Sequence, residues 1–278
     1  MLSELQDTFK SNIKALEIFL VLKGAKPAAR IMADEDEEDK ILGIILEKGL
    51  NYSISDFKVL KVDKEKGYSD KGIKVDPKSN ENGDFFVYIS KDKDITEKAK
   101  ILEAENKHKE LGILLGYPSC CAEFFEKHFE EESKRNNDFT LAVLKSSDGF
   151  SFPFYTNIGA RHFDLALLSH FPCSFSCAAS LEIAKKNLEL IKQEDKEFAE
   201  VIEGMLKGAI VYTETEGVFL LRNPELEHNR ICYQGIISTK NNQMYESLKN
   251  AEHIDIISKN RIKLGDLEIK NIGFMLFF

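Results

Sequence analysis

Two pairs of cysteines stand out, Cys120 with Cys121 and Cys173 with Cys177, each lying just behind a proline, Pro118 and Pro172. A thiolate is both a nucleophile and a soft-metal ligand, so four of them in two clusters point to metal binding or thiol chemistry. Proline is tolerated in the first turn of a helix, which places each pair at an expected helix start, where the unsatisfied amides favour negative charge. Cys173 and Cys177, four apart, are expected on one face of such a helix. Cys120 and Cys121, being adjacent, diverge by about 100° around a helix, a harder fit to one tetrahedral ion than to a wider cluster. Zinc, with or without a histidine in place of one cysteine, and a four-iron iron-sulfur cluster therefore both stay open. His108 and His170 are the histidines placed to complete the site, so the candidate metal ligands are Cys120, Cys121, Cys173, Cys177, His108 and His170. Cys232, between Ile231 and Tyr233 on an expected strand, reads as a core residue.

Two other classes of function fit the same residues. One is a thiol redox or sulfur-transfer enzyme with a nucleophilic cysteine at a helix start, for which Cys120, Cys121, Arg161 and His170 are the candidate catalytic groups. The other is a non-catalytic interaction protein whose cysteines only pack. The chain also has three gaps in its charge, Leu111 to Ala122, Gly149 to Ala160 and Leu165 to Leu181, which are expected to be its most buried stretches. The second of these holds Phe152, Phe154, Tyr155 and Asn157, with Arg161 just beyond it, so Asn157 and Arg161 are candidate cofactor-binding residues, a pair able to orient and neutralise a carboxylate or phosphate. The plainer alternative is a buried loop in which both satisfy backbone carbonyls.

The elements that must position these groups suggest an α+β fold, a helical cysteine-bearing centre packed with a mixed or antiparallel sheet. Three segments are expected: helices and strands over 1–95, a helical domain over 96–208 that carries both cysteine pairs, and an α+β segment over 209–278 whose sheet could include the strands near 52–62 and 85–90. Leu2 to Leu22 carries a helical apolar stripe, Pro27 can open a second helix, and the six acids Asp34 to Asp39 suit a helix amino terminus better than a calcium loop. Lys64 to Asp84 is polar and glycine-bearing and reads as a loop. Asp94 with Glu97 resembles a capping box, after which Ile101, Ala104, His108, Leu111 and Leu115 follow helical spacing up to Gly116.

Composition narrows the partners. The chain has 278 residues, with 47 acidic against 38 basic side chains and a net charge of −9, which disfavours a nucleic-acid backbone or an anionic membrane as partner. Lys58, Lys61, Lys64 and Lys66 could still form a local basic patch, and a small-molecule substrate stays open. No basic leader precedes an apolar stretch near Met1, so the expectation is a cytoplasmic protein, and an odd number of cysteines in a reducing compartment argues against a disulfide framework.

The string Leu115-Gly116-Tyr117-Pro118-Ser119-Cys120-Cys121 with Phe124 and Phe125, together with His170-Phe171-Pro172-Cys173-Ser174-Phe175-Ser176-Cys177 and Ser180, resembles the signature of the prokaryotic, largely archaeal family called domain of unknown function 483. The resemblance covers about residues 108–181 and brings no activity with it. It implies that the two cysteine clusters and the segment from Asn157 to Arg161 belong to one unit.

Overall fold

A computed structural model describes residues 1–34, 37–61, 72–81, 83–134 and 137–278, with only the main chain of Lys61. The fold is α+β. The described residues divide into two compact units, one comprising residues up to 137 together with 189–195, the other 138–188 and 196–278.

The first unit is a four-stranded antiparallel sheet between helices. It opens with α1 (Leu2–Phe9) and α2 (Asn12–Leu22), then β1 (Ala28–Asp34), α3 (Glu38–Glu47), β2 (Asn51–Lys61), β3 (Gly72–Val75), β4 (Asp84–Ser90), α4 (Lys93–Ala104), α5 (His108–Leu114) and α6 (Ser119–Glu132). The strand order is β1-β4-β2-β3, with Arg30 opposite Tyr88 and Ile31 opposite Val87. Period-two alternation sends Ala28 and Tyr88 into a core with Ala99 of α4 and Leu111 of α5, while Ala29, Ile31, Val87 and Ile89 are buried on the other face, the side of α2 and α3.

Several local expectations change here. The stripe from Leu2 to Leu22 is two helices, because Lys10 adopts a left-handed φ of 48° and Ser11 caps α2 by accepting from the Lys14 amide. Pro27 opens a strand, since the apolar run behind it pairs with β4. The polar stretch after Lys61 contains β3 at 72–75, and the rest of that loop reading, with Lys64 and Lys66, falls partly outside the described residues. Lys58 is buried, with its Nζ donating to the Ser79 carbonyl, so it does not belong to a surface basic patch. The cap of α4 is Asp92, accepting from the Asp94 amide at 2.9 Å, two residues ahead of the expected box. The stripe from Ile101 to Leu115 is interrupted by Asn106 at a φ of 56°.

The second unit is built on two five-stranded sheets. After α7 (Thr140–Lys145) come β5 (Ser151–Phe152), two short 3-10 turns at Phe154–Thr156 and Gly159–Phe163, α8 (Ala178–Glu194), whose first eleven residues belong to this unit, and α9 (Lys196–Leu206). There follow β6 (Gly208–Tyr212), β7 (Val218–Arg222), β8 (Glu225–Glu227), β9 (Arg230–Cys232), β10 (Gly235–Ser238), α10 (Gln243–Asn250), β11 (Ile254–Ser258), β12 (Arg261–Leu264), β13 (Leu267–Lys270) and β14 (Gly273–Phe277). One sheet has the order β10-β7-β6-β14-β5, with β5 parallel to β14; the other, antiparallel, has the order β13-β12-β11-β9-β8.

The two sheets of this unit share a core. Val211, Phe219, Phe274 and Leu276 of the first meet Ile231, Ile254, Ile256 and Ile262 of the second, with Leu248 of α10. The alternate residues of the first sheet are buried as well: Phe277 lies 5.4 Å from the ring of Phe175, and Ile210 underlies Gly159 so closely that a Cβ there would meet it at 3.2 Å. Being covered on both faces explains why β6 and β14 are apolar throughout. Among the described residues, the strands of 209–278 pair with one another and with β5, so the strands near 52–62 and 85–90 form a separate sheet instead of extending theirs. No described helix is long and apolar enough to cross a membrane.

Candidate metal centre

The Cys120 and Cys121 pair sits in the first turn of α6, as the proline spacing predicts. Pro118 is the residue before the helix, and its carbonyl accepts from the amides of Cys121 at 3.0 Å and Ala122 at 2.9 Å. Gly116 makes the turn into it with a φ of +87°, in a space where a Cβ would come within 2.7 Å of Pro27 Cδ. Only glycine adopts that conformation without strain, so the turn preceding the cysteines is sterically set. Cys121 lies on the buried face of α6 at 1% exposure, with Ala122 and Phe124, while Cys120 is exposed.

The second pair is held differently from the expectation. Pro172 opens no helix: residues 171–177 are irregular, and α8 begins only at Ala178. Cys177 immediately precedes α8, its carbonyl accepting from the Leu181 amide at 3.0 Å, while its own amide donates to the Ser174 carbonyl in a turn. The physical reason is a set of buried polar anchors that fix the loop in another shape. Phe175, midway between the cysteines and fully buried, donates its amide to Ser147 Oγ at 2.8 Å, and its carbonyl accepts from Thr156 Oγ1 at 2.6 Å. Its ring packs 4.8 Å from Phe152 and 5.4 Å from Phe277. At the base of the loop His170 Nε2 and Ser180 Oγ are 2.9 Å apart, both buried. A helix from Pro172 would forfeit these bonds and leave buried main-chain groups unpaired.

The outcome is convergence. The Sγ atoms of Cys120, Cys121, Cys173 and Cys177 all lie within 4.8 Å of one another, and those of the adjacent Cys120 and Cys121 are 3.8 Å apart. The side chains thus overcome the angular divergence of neighbouring helical positions. Four thiols at this spacing could hold a metal ion. Cys121 and Cys177 are buried, Cys173 is half-buried and Cys120 is exposed, so one side of the group faces water. Cys120 and Cys121 lie in the first turn of α6, where the helix start favours the negative charge of a thiolate.

The group of four does not include His108 or His170. His108 opens α5 and packs 3.9 Å from the ring of Phe129 and 5.9 Å from that of Phe125; burial there lowers its pKa. His170 spends one ring nitrogen on Ser180 and acts on the loop that carries Cys173. Asn157 is buried, donating to the Leu206 carbonyl at 2.8 Å and accepting from the Ala160 amide at 3.2 Å. Arg161, also buried, donates to the Leu168 carbonyl and stacks 4.2 Å over Phe171. Both thus donate to main-chain carbonyls, Asn157 to one at the end of α9 and Arg161 to one between the clusters. Cys232 faces outward on β9, since Ile231 takes the core position of that strand.

Charge-free sequence is not everywhere buried. In the stretch from Leu111 to Ala122, Ile113, Ser119 and Cys120 are exposed, because only one face of α5 and α6 meets the core. Ser147 and Thr156 are positioning residues that sequence reasoning passed over; Thr156 carried a signal, since a polar side chain in a charge-free stretch must find a buried partner, whereas Ser147, between Lys145 and Asp148, carried none.

A second polar cluster lies apart from the cysteines. Asp138 is buried before α7, where its Oδ2 accepts from Tyr212 Oη at 3.0 Å and lies 2.9 Å from His162 Nε2, and its Oδ1 accepts from the Thr140 amide at 2.8 Å. Burial alone would raise its pKa, but the bond and charge of His162 and the bonds from Thr140 outweigh it, and the carboxyl is held well below its usual range. Comparison with protein-family models, with curated protein sequences and with solved structures found no match.

Proposed function

We propose that this chain is a metalloprotein that binds a single tetrahedral metal ion, zinc being the best fit, through Cys120, Cys121, Cys173 and Cys177. The observation that carries the reading is the sulfur spacing. Four thiolates around one zinc, with bonds of about 2.3 Å, stand about 3.8 Å apart, and the four Sγ atoms here lie within 4.8 Å of one another, with one pair at 3.8 Å. In a four-iron cluster each thiolate binds its own iron and points outward from a corner, which separates the sulfurs more widely. The histidines are not needed to complete the set.

Elemental analysis and a visible spectrum of protein purified without oxygen and without a metal-binding tag test this directly. The expected result is one zinc or one iron per chain, lost in a Cys121→Ser, Cys177→Ser double variant. Four irons per chain with a broad brown absorption, or full metal content in the double variant, would overturn it.

A further inference from the structure

Resting on that reading, we infer that Cys120 is an exchangeable ligand and that the centre accepts an external thiol in its place. Two observations lead there. Cys120 is exposed, whereas Cys121 and Cys177 are buried and Cys173 is half-buried, so the Cys120 corner is the one a solute reaches most readily. The other ligands are built in: Cys121 shares the buried face of α6 with Ala122 and Phe124, Cys177 immediately precedes α8, and Cys173 lies between the His170–Ser180 pair and the anchored main chain of Phe175. Releasing Cys120 disturbs none of these contacts.

The exchange balances. An incoming thiol forms a metal–sulfur bond, the bond from the metal to Cys120 Sγ breaks, and the proton of the incoming thiol passes to the released Cys120 sulfur. Nothing is oxidised or reduced. The ligand class is a small thiol or a cysteine-bearing peptide, and the chemistry it would undergo is binding and activation as a metal-bound thiolate.

Cobalt(II) replaces zinc and reports the number of bound thiolates through its visible and near-ultraviolet bands. We would load the native chain and the Cys120→Ala, Cys121→Ala and Cys177→Ala variants with cobalt, then add 2-mercaptoethanol. The expected result is that Cys120→Ala still binds one cobalt with three-thiolate bands, and that the added thiol restores the four-thiolate spectrum. Cys121→Ala and Cys177→Ala should lose affinity by more than about 100-fold, the upper range for removing a mere supporting partner, without rescue. A Cys120→Ala variant that binds cobalt as weakly as the other two, or whose bands ignore added thiol, overturns the exchange while leaving the metal centre standing. A native chain that takes up no cobalt overturns both.

Discussion

Asp138 is the residue whose chemistry reaches furthest beyond its immediate neighbours, because one buried carboxylate gathers Tyr212, His162 and the start of α7. Its pKa in the folded chain is depressed below the unfolded value of about 3.9. The stability it contributes is therefore present in full above that unfolded value and is lost as the pH falls from there through the folded value. Asp138→Asn should lower the denaturant midpoint near pH 7 and flatten its decline below about pH 5; an acid limb as steep as that of the native chain would show that other carboxylates set it. Asp138→Ala, which removes the oxygen shared by His162 and Tyr212, should cost about 1–3 kcal/mol. Little of this was legible in the sequence, where Asp138 is one acid among many and Tyr212 is remote. The cysteines were legible for the opposite reason, standing as rare side chains in stretches almost free of charge.

Elements were readable wherever a single local rule decided them. Pro118 and the spacing behind it located the start of α6, and the acids before Ile41 led into α3. Tertiary contacts override local preference elsewhere: Pro172 resembles Pro118 in sequence, yet the bond that Phe175 donates to Ser147 and the one it accepts from Thr156 hold the loop out of a helix. Pro27 likewise precedes a strand because β4 supplies its partner. The turn at Gly116 offers a test at this scale. Gly116→Ala places a methyl against Pro27 in a left-handed conformation, and it should lower stability by about 1–3 kcal/mol. It should also weaken metal binding, since Tyr117 and Pro118 carry the shift into the first turn of α6; calorimetry of zinc binding to a folded variant measures this, and an unchanged affinity would mean that α6 is positioned without the turn.

For the whole chain, the α+β class followed from the mixture of helical and alternating patterns, while the pairing of strands did not. Alternation marks which face of a strand is buried but not which strand lies beside it, and β6 and β14, apolar on both faces, carry no alternation at all. The metal reading has a consequence at the same scale. An ion bound only by the folded chain adds about 4 kcal/mol when its free concentration is 1,000-fold above its dissociation constant, so removing zinc with a chelator should lower the thermal midpoint by on the order of 10 °C. Restored zinc should recover it, and a midpoint indifferent to both treatments would assign the fold its stability without the ion.

The placement of β14 bears on the order in which the second unit can form. It lies between β6 and β5, pairing Gly273–Phe277 with residues 208–212 and Leu276–Phe277 with Ser151–Phe152. The other sheet is made largely of strands that follow one another closely, β8 with β9 and β11 through β13, and those hairpins can pair while the chain is still being synthesised. Until residues 273–277 emerge, β6 presents an open, wholly apolar edge, the kind of surface on which nascent chains associate. The sheet against which Phe175 packs is thus completed by the last of its strands to emerge, so the loop carrying Cys173 and Cys177 takes its final shape only after residues 273–277 are made, and any metal capture that depends on that shape must follow.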